Sequence, residues 1–266
     1  MNNRYITAAE AVKHVQSGHR VFIHGSAATP TPLVDALLQR AGEIENVELV
    51  AISTFGDINW KTDAIKKSFY LNSLFVSANV REWVNSPYGD YIPIFLSEIP
   101  RLFENNILPI DVAIIQVSPP DEHGYCTLGT SIDAALSAAR NARIVIAQVN
   151  PFMPRTHGDG HIHVSAINEF VYQEMQLPLV NYSDGADAAV QKIGEHIAGL
   201  VEDGATLQMG IGGIPDAVLR SLTNHKGLGI HTEMFSDGVV PLIEKGIITN
   251  EYKKVRPGKT VTTFVL

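Results

Sequence analysis

The 266-residue chain has a single cysteine, Cys126, which excludes an internal disulfide and makes a reducing cytoplasm the simplest home. It also lacks any apolar run of the ~18 residues that a bilayer-spanning helix needs, so no membrane segment is expected. Its first residues, Met1-Asn-Asn-Arg-Tyr5, carry no apolar stretch of the kind that marks a secretory signal. Basic clusters are missing too: no run of Lys/Arg exceeds two residues, and the formal net charge is −8. Nucleic acid, which requires a basic footprint, is therefore not an expected partner. An anionic ligand would have to be held locally, by backbone N–H groups or a few cations, since no global field would draw it in. Charged residues make up 18% of the chain against 45% hydrophobic. That balance suits a sizeable core, and the length suggests about two domains.

What is present is an alternation of short apolar runs with amphipathic stretches. Arg20–His24, Val47–Ser53, Val112–Val117 and Ala142–Val149 read as strands. Pro32–Ala41 reads as a helix, with Leu33, Ala36, Leu37 and Arg40 near helical spacing. The Ala-rich segment Ile132–Arg140 reads as another. Buried strands with helical crossovers imply a mostly parallel sheet covered on both faces. Asp187–Leu200 is predicted as a helix with Val190, Ile193 and Ile197 on one face, and Asn181-Tyr-Ser-Asp-Gly185 before it has linker composition.

Two stretches resemble each other. Val21-Phe-Ile-His-Gly25-Ser-Ala-Ala-Thr-Pro30 and Thr206-Leu-Gln-Met-Gly210-Ile-Gly-Gly-Ile-Pro215 each end a strand in glycine, with proline five residues on. Each enters a helix, then a strand closing in a related turn, Phe55-Gly-Asp57 or Phe235-Ser-Asp237. An apolar strand follows, Ser73–Val76 or Thr262–Val265. The expected fold is α/β: two similar open, mostly parallel α/β domains, residues 1–186 and 187–266. The second is expected to be incomplete in this chain, because it has 31 residues after Phe235 and ends in Thr260–Leu266, which reads as a buried strand.

Gly210-Ile-Gly-Gly-Ile-Pro215 is a turn between a strand and a helix. Glycine lets a backbone approach a ligand closely, and a helix N-terminus offers free N–H groups to an anion. The segment is not the GxGxxG of dinucleotide sites, and a tight structural turn is an equally good reading of it alone. Gly229-Ile-His-Thr-Glu233-Met-Phe-Ser-Asp-Gly238 places a carboxylate near the carboxyl end of a strand, where open α/β sheets bind ligands. The blander reading of such a glutamate is a solvated surface charge.

Together, Gly210–Val218 and Leu228–Val239 resemble the acetyl-CoA hydrolase/transferase family. So do Ser118-Pro-Pro-Asp-Glu-His-Gly-Tyr-Cys-Thr-Leu-Gly129 and Met153-Pro-Arg-Thr-His-Gly-Asp-Gly-His-Ile-His-Val-Ser165, and the resemblance extends over the whole chain. It implies a CoA-transferase that moves CoA between acetyl-CoA and a short acid such as 4-hydroxybutyrate or butyrate. In that family the glutamate at the Glu233 position carries the glutamyl-CoA thioester, and the turn Gly210, Ile211, Gly212, Gly213 and Ile214 is a CoA-binding loop. Coenzyme A and acyl-CoA would then be substrates, with no permanently bound cofactor and no metal. Short-chain carboxylic acids would be the other partners, and a homo-oligomer the expected assembly. A hydrolase on the same scaffold and an inactive fragment are the alternatives. Members of the family run on for well over a hundred further residues.

Three rival features deserve a structural answer. His157, His161 and His163 lie within seven residues, and His161 and His163 would share a face of an extended segment, as zinc ligands can. Cys126 near His123 has the composition of a nucleophile pair, although a lone cysteine is more often a small buried apolar residue. Ser53 occupies the place of Glu233 in the first copy of the repeat, so that copy would supply pocket walls and no nucleophile.

Overall fold

A computed structural model describes residues 5–56, 58–179, 188–210 and 212–265. The chain divides into two compact units, Met1–Pro178 and Leu179–Leu266. The predicted linker Asn181–Gly185, together with Asp57, Asp187, Ile211 and Leu266, lies outside the described residues.

The first unit is built on seven parallel strands: β1 (Arg20–Ile23), β2 (Val47–Ala51), β3 (Phe69–Ser73), β4 (Gly89–Tyr91), β5 (Val112–Val117), β7 (Ile144–Val149) and β9 (Glu169–Tyr172), in the order β4-β3-β2-β1-β5-β7-β9. A short antiparallel pair, β6 (Tyr125–Thr127) with β8 (His161–His163), stands apart from the main sheet. Helices α1 (Ala8–Ala11), α2 (Thr31–Leu38), α3 (Asp63–Ser68), α4 (Arg81–Val84), α5 (Ile99–Glu104) and α6 (Ala135–Asn141) accompany the sheet. β5 shows why the sheet must be covered on both faces. All six of its residues are buried, with Val112 and Ile114 in one apolar cluster and Ala113, Ile115 and Val117 in the other. This is the near-continuous apolar strand of a parallel sheet. Strand order reverses between β1 and β5, so the crevice outside their carboxyl ends is this unit's topological switch point.

The second unit has two parallel pairs, β10 (Thr206–Leu207) with β11 (Gly229–Ile230) and β12 (Met234–Phe235) with β13 (Phe264–Val265), and helices α7 (Ala188–Ala198), α8 (Gly213–Ser221) and α9 (Val239–Glu244). A parallel bridge from His231 to Val261 continues the ladder between the two pairs. Both units thus contain strand, glycine turn, helix and parallel neighbour strand in that order.

Several sequence expectations are corrected here. The apolar run Ser73–Val76 is not the third strand; that strand is Phe69–Ser73, whose residues alternate buried and exposed or half-buried. Its polar member Asn72 hydrogen-bonds Glu48, which also pairs with Arg20 at 2.6 Å, so three adjacent strands share a polar ladder. The helix expected from Ile132 begins only at Ala135. Asp133 sits at φ +23° and its carboxylate accepts hydrogen bonds from Ser131 Oγ and Ala135 N, which hold a turn ahead of the helix. The helix expected over Pro32–Ala41 stops at Leu38. Arg40 then leaves the helical face and donates to the carbonyls of Val12 and Val15 at 2.7 and 2.6 Å. The predicted helix Asp187–Leu200 is α7, and its Val190, Ile193 and Ile197 face is only partly covered: Ile193 and Ile197 are about two-fifths exposed, and the buried residues of the helix are Gly194 and Ala198. A Cβ on Gly194 would stand 2.7 Å from the backbone of Ala217, so the two helices meet through small residues. The expected buried strand Thr260–Leu266 reduces to Phe264–Val265, both half-buried.

Candidate functional site

Glu233 sits between two sets of tethers. On one side, the buried Thr232 hydroxyl accepts from Met209 N at 2.8 Å and faces the carbonyls of Met209 and Met234, each at 3.0 Å. Met209 directly precedes Gly210, so this single side chain ties the start of the glycine turn to the residue before Glu233. On the other side, Thr232 N donates to Val261 O, and the carbonyl of Glu233 accepts from the amides of Thr263 and Phe264 at 2.9 and 3.0 Å. The Thr262 and Thr263 hydroxyls point at the same carbonyl, at 2.9 and 2.8 Å. The backbone of Glu233 is therefore pinned while its side chain is exposed, and among the described residues nothing hydrogen-bonds the carboxylate.

The glycine turn beside it is open. Gly210 and Ile214 are exposed, Gly212 and Gly213 are half-buried, and Ile211 lies outside the described residues. Gly212 caps α8 with φ +105°, a conformation that suits glycine. A Cβ there would meet nothing within 4 Å. No side chain caps the helix. Its first amides, on Gly213 and Ile214, have no intrahelical acceptor, and Pro215 has no N–H to offer. Thr232 thus ties the residue before Glu233 to the residue before the turn, with an exposed Glu233 side chain and helix amides that lack intrahelical acceptors in the same unit.

The corresponding turn of the first unit differs. Every residue from His24 to Pro30 is buried. A Cβ on Gly25 would lie 2.6 Å from the carbonyl oxygen of Ser53, so only glycine allows this approach. Ser26 N donates to that same oxygen at 2.7 Å, Thr29 Oγ1 donates to Ser26 O, and Phe55 N donates to Thr29 Oγ1. Ser53, the counterpart of Glu233, contributes backbone and no acid. Behind the turn, His24 accepts from Gln116 N on Nδ1 and so donates from Nε2 to Ser131 O at 2.7 Å. Burial lowers the His24 pKa and keeps the ring neutral; the nearby Asp133 charge only partly opposes this.

A buried polar ladder also escaped the sequence reading. Gln116 and Gln148 pair across β5 and β7, with Gln148 Nε2 donating to Gln116 Oε1 at 3.0 Å. Asn150 Nδ2 donates to the same oxygen and to Met175 O. The signal was faint: one glutamine at the fifth position of each apolar strand.

The rival features resolve into structure. Cys126 is fully buried and desolvation pushes its thiol up to about 12, so it is no nucleophile at neutral pH. His123 is exposed and faces Glu122. His161 and His163 do share a face of β8, where both rings stack edge-on against Tyr125 at 6.5 and 5.0 Å. Their Nδ1 atoms are engaged by Gly158 O and Ser165 Oγ. Among the described residues no group of three His, Cys, Asp or Glu side chains could hold a metal ion. Likewise, none of the described helices is long and apolar enough to cross a membrane.

Against this geometry, residues 2–182 match the model of the acetyl-CoA hydrolase/transferase N-terminal domain. The chain belongs to that family. It is 45% identical over 264 residues to a 4-hydroxybutyrate coenzyme A transferase of Clostridium kluyveri, covering 99% of this chain and 61% of that protein. It is 48% identical over 261 residues to a succinyl-CoA:acetate/propanoyl-CoA:succinate CoA transferase of Fasciola hepatica, covering 97% and 54%. Among solved structures, a 4-hydroxybutyrate CoA-transferase from Porphyromonas gingivalis superposes with a TM-score of 0.83 at 36% identity, covering 99% of this chain and 62% of that one. The chain thus spans just over half to three-fifths of the length of these relatives.

Proposed function

We propose that this chain carries the nucleophile of an acyl-CoA:carboxylate CoA-transferase, with Glu233 as the residue that becomes the glutamyl-CoA thioester. The observation that carries the reading is the Thr232 tether, which sets Glu233 beside the Gly210 turn in a chain whose relatives are CoA transferases. The Glu233 carboxylate attacks the acyl-CoA carbonyl; the carbon–sulfur bond breaks and CoA leaves as a thiolate, giving a mixed anhydride. The thiolate then attacks the glutamyl carbonyl and expels the first acid as its carboxylate. A second acid runs the sequence in reverse and leaves as its CoA thioester. This is covalent catalysis with ping-pong kinetics. Each addition develops an oxyanion, for which the amides of Gly212 and Gly213 are the donors we assign, with Ile211 a further one by its place in the sequence. Losing one such donor costs about 10²–10³ in rate.

The turn itself is the CoA-binding loop in this reading, with Gly210 and Ile214 as its ends. Acetyl-CoA with a short acid such as 4-hydroxybutyrate or butyrate is the substrate pair we favour. CoA passes through as substrate, with no permanent cofactor. We take residues 1–186 and 187–266 as belonging to the two halves of a duplicated CoA-transferase architecture, in a cytoplasmic homo-oligomer. The test is an exchange assay with acetyl-CoA and a panel of short acids, with and without acceptor. Acceptor-dependent exchange that Glu233→Ala abolishes supports the reading. Thioester loss without an acceptor makes the protein a hydrolase, and undiminished exchange in the variant refutes the assignment.

A further inference from the structure

Lys253 is 4% exposed, unusual for a lysine, and among the described residues no carboxylate pairs with it. Its Nζ donates instead to two backbone carbonyls, Ile230 O at 2.7 Å and Lys259 O at 2.5 Å. Ile230 ends β11, three residues before Glu233. The lysine stem reaches this point by lying across Gly229: a Cβ on Gly229 would stand 2.6 Å from Lys253 Cγ and 3.0 Å from Cδ. Glycine at the start of β11 is thus what lets the stem cross the strand.

The contacts around this lysine form a connected strap. Ile230 N donates to Asn250 Oδ1 at 2.9 Å, and Asn250 Nδ2 donates to Thr260 Oγ1 at 3.0 Å. Val261 N donates to Ile230 O, the carbonyl that Lys253 also holds, and Thr232 N donates to Val261 O. The next residues, Thr262 to Phe264, converge on the Glu233 carbonyl. Segment 250–264 therefore grips the strand at Ile230, Thr232 and Glu233, and Lys253 closes the grip from inside. Burial lowers the lysine's pKa, and a neutral amine would still have two N–H groups for two carbonyls, so the grip does not depend on the charge.

A buried ammonium facing only carbonyls is a costly way to fasten a loop when an apolar side chain could fill the space. Its effect is directional: it fixes where the carbonyl of Ile230 points, and with it the line of backbone leading to Glu233. We propose that Lys253 is a positioning residue for Glu233, holding the strand so that the carboxylate keeps its attack geometry. The proposal rests on the reading of Glu233 as nucleophile.

The experiment compares Lys253→Met, which keeps the stem and removes the donors, with Gly229→Ala, which keeps the donors and displaces the stem. Both are assayed in exchange-active protein beside Glu233→Ala, with folding checked by thermal unfolding. We expect kcat to fall about 10- to 100-fold in each, as for a nucleophile displaced by a fraction of an ångström to an ångström, with KM for acyl-CoA and acid within about twofold. The residual activity should still proceed through Glu233. Amide exchange at Thr232, Thr263 and Phe264 should quicken. Should Lys253→Met fail to fold, Gly229→Ala decides alone. A folded variant with unchanged kcat overturns the positioning role while leaving the function intact, provided Glu233→Ala is dead. If Glu233→Ala keeps its activity, the functional reading falls and this inference falls with it.

Discussion

The two glycine turns of this chain start from the same sequence plan and end as opposites. At Gly25 the strand end is sealed: seven consecutive residues are buried, the turn is bonded to the Ser53 carbonyl, and a neutral histidine closes it from behind. At Gly210 the strand end is open, with an exposed glycine and an exposed carboxylate three residues past β11's last paired position. The difference lies in what stands at the neighbouring strand. Ser53 offers its main chain to the turn, and close approach through Gly25 consumes the space. Glu233 offers its side chain to solvent because its main chain is already committed to Thr262, Thr263 and Phe264. Glycine serves distance in the first unit and backbone conformation in the second.

The largest test of this contrast exchanges acids. Glu233→Ala should lower CoA exchange by on the order of 10³-fold or more, as loss of a covalent nucleophile does, while Ser53→Ala should leave it within a few-fold. Equal losses would erase the functional distinction between the turns. Next in size, Gly25→Ala forces a methyl to 2.6 Å from the Ser53 carbonyl and should destabilise the protein by about 1–3 kcal/mol, read as a lower unfolding midpoint. Gly212→Ala meets no such neighbour, but φ +105° with ψ −174° is backbone that essentially only glycine adopts, so it should cost about 1–3 kcal/mol through strain alone; Gly212→Val should lose CoA use well beyond its loss of stability.

A pH series sharpens the sealed side. His24 is buried with its pKa below the ordinary 6.5, so the unfolded chain binds a proton that the folded chain refuses. The stability this neutral histidine contributes is complete above pH 6.5 and is lost as pH falls below it, with a slope of at most about 1.4 kcal/mol per pH unit. Unfolding measured from pH 7.5 to 5 should show that slope, and a folded His24→Asn variant should show less of it. The smallest effect belongs to Cys126. With its thiol at about 12 and no exposure, it should resist alkylation in the native state, and Cys126→Ala should exchange CoA at the parent rate.

Much of this fold was legible in the chain. Val112–Val117 coincides with β5 because a strand buried on both faces needs unbroken apolar sequence, and that pattern is hard to mistake. Helix ends were less visible: Arg40 looked helical by spacing yet turns away to bond α1's neighbourhood, and Asp133 delays α6 through a local turn. The third strand was missed because Tyr70 and Asn72 make it half polar, while the more apolar Leu74-Phe-Val76 lies beyond it. In the candidate site, the place of the glycine turn ahead of α8 and of Glu233 just past β11 was legible from their motif. The groups that hold them were not. Thr232 and Lys253 act through contacts 23 residues distant in sequence, Met209 to Thr232 and Ile230 to Lys253, and a lone threonine or lysine carries no local sign of burial.

The most direct measurement is the chemical identity of the CoA-bearing residue. Exchange-active protein is incubated with acyl-CoA, treated with borohydride to reduce the enzyme thioester, digested and mapped by peptide mass spectrometry. The account predicts that the peptide containing Glu233 alone carries the reduced side chain, and that the modification disappears when acceptor acid is added before borohydride. Modification of any other residue, or none under conditions of full exchange, would contradict it.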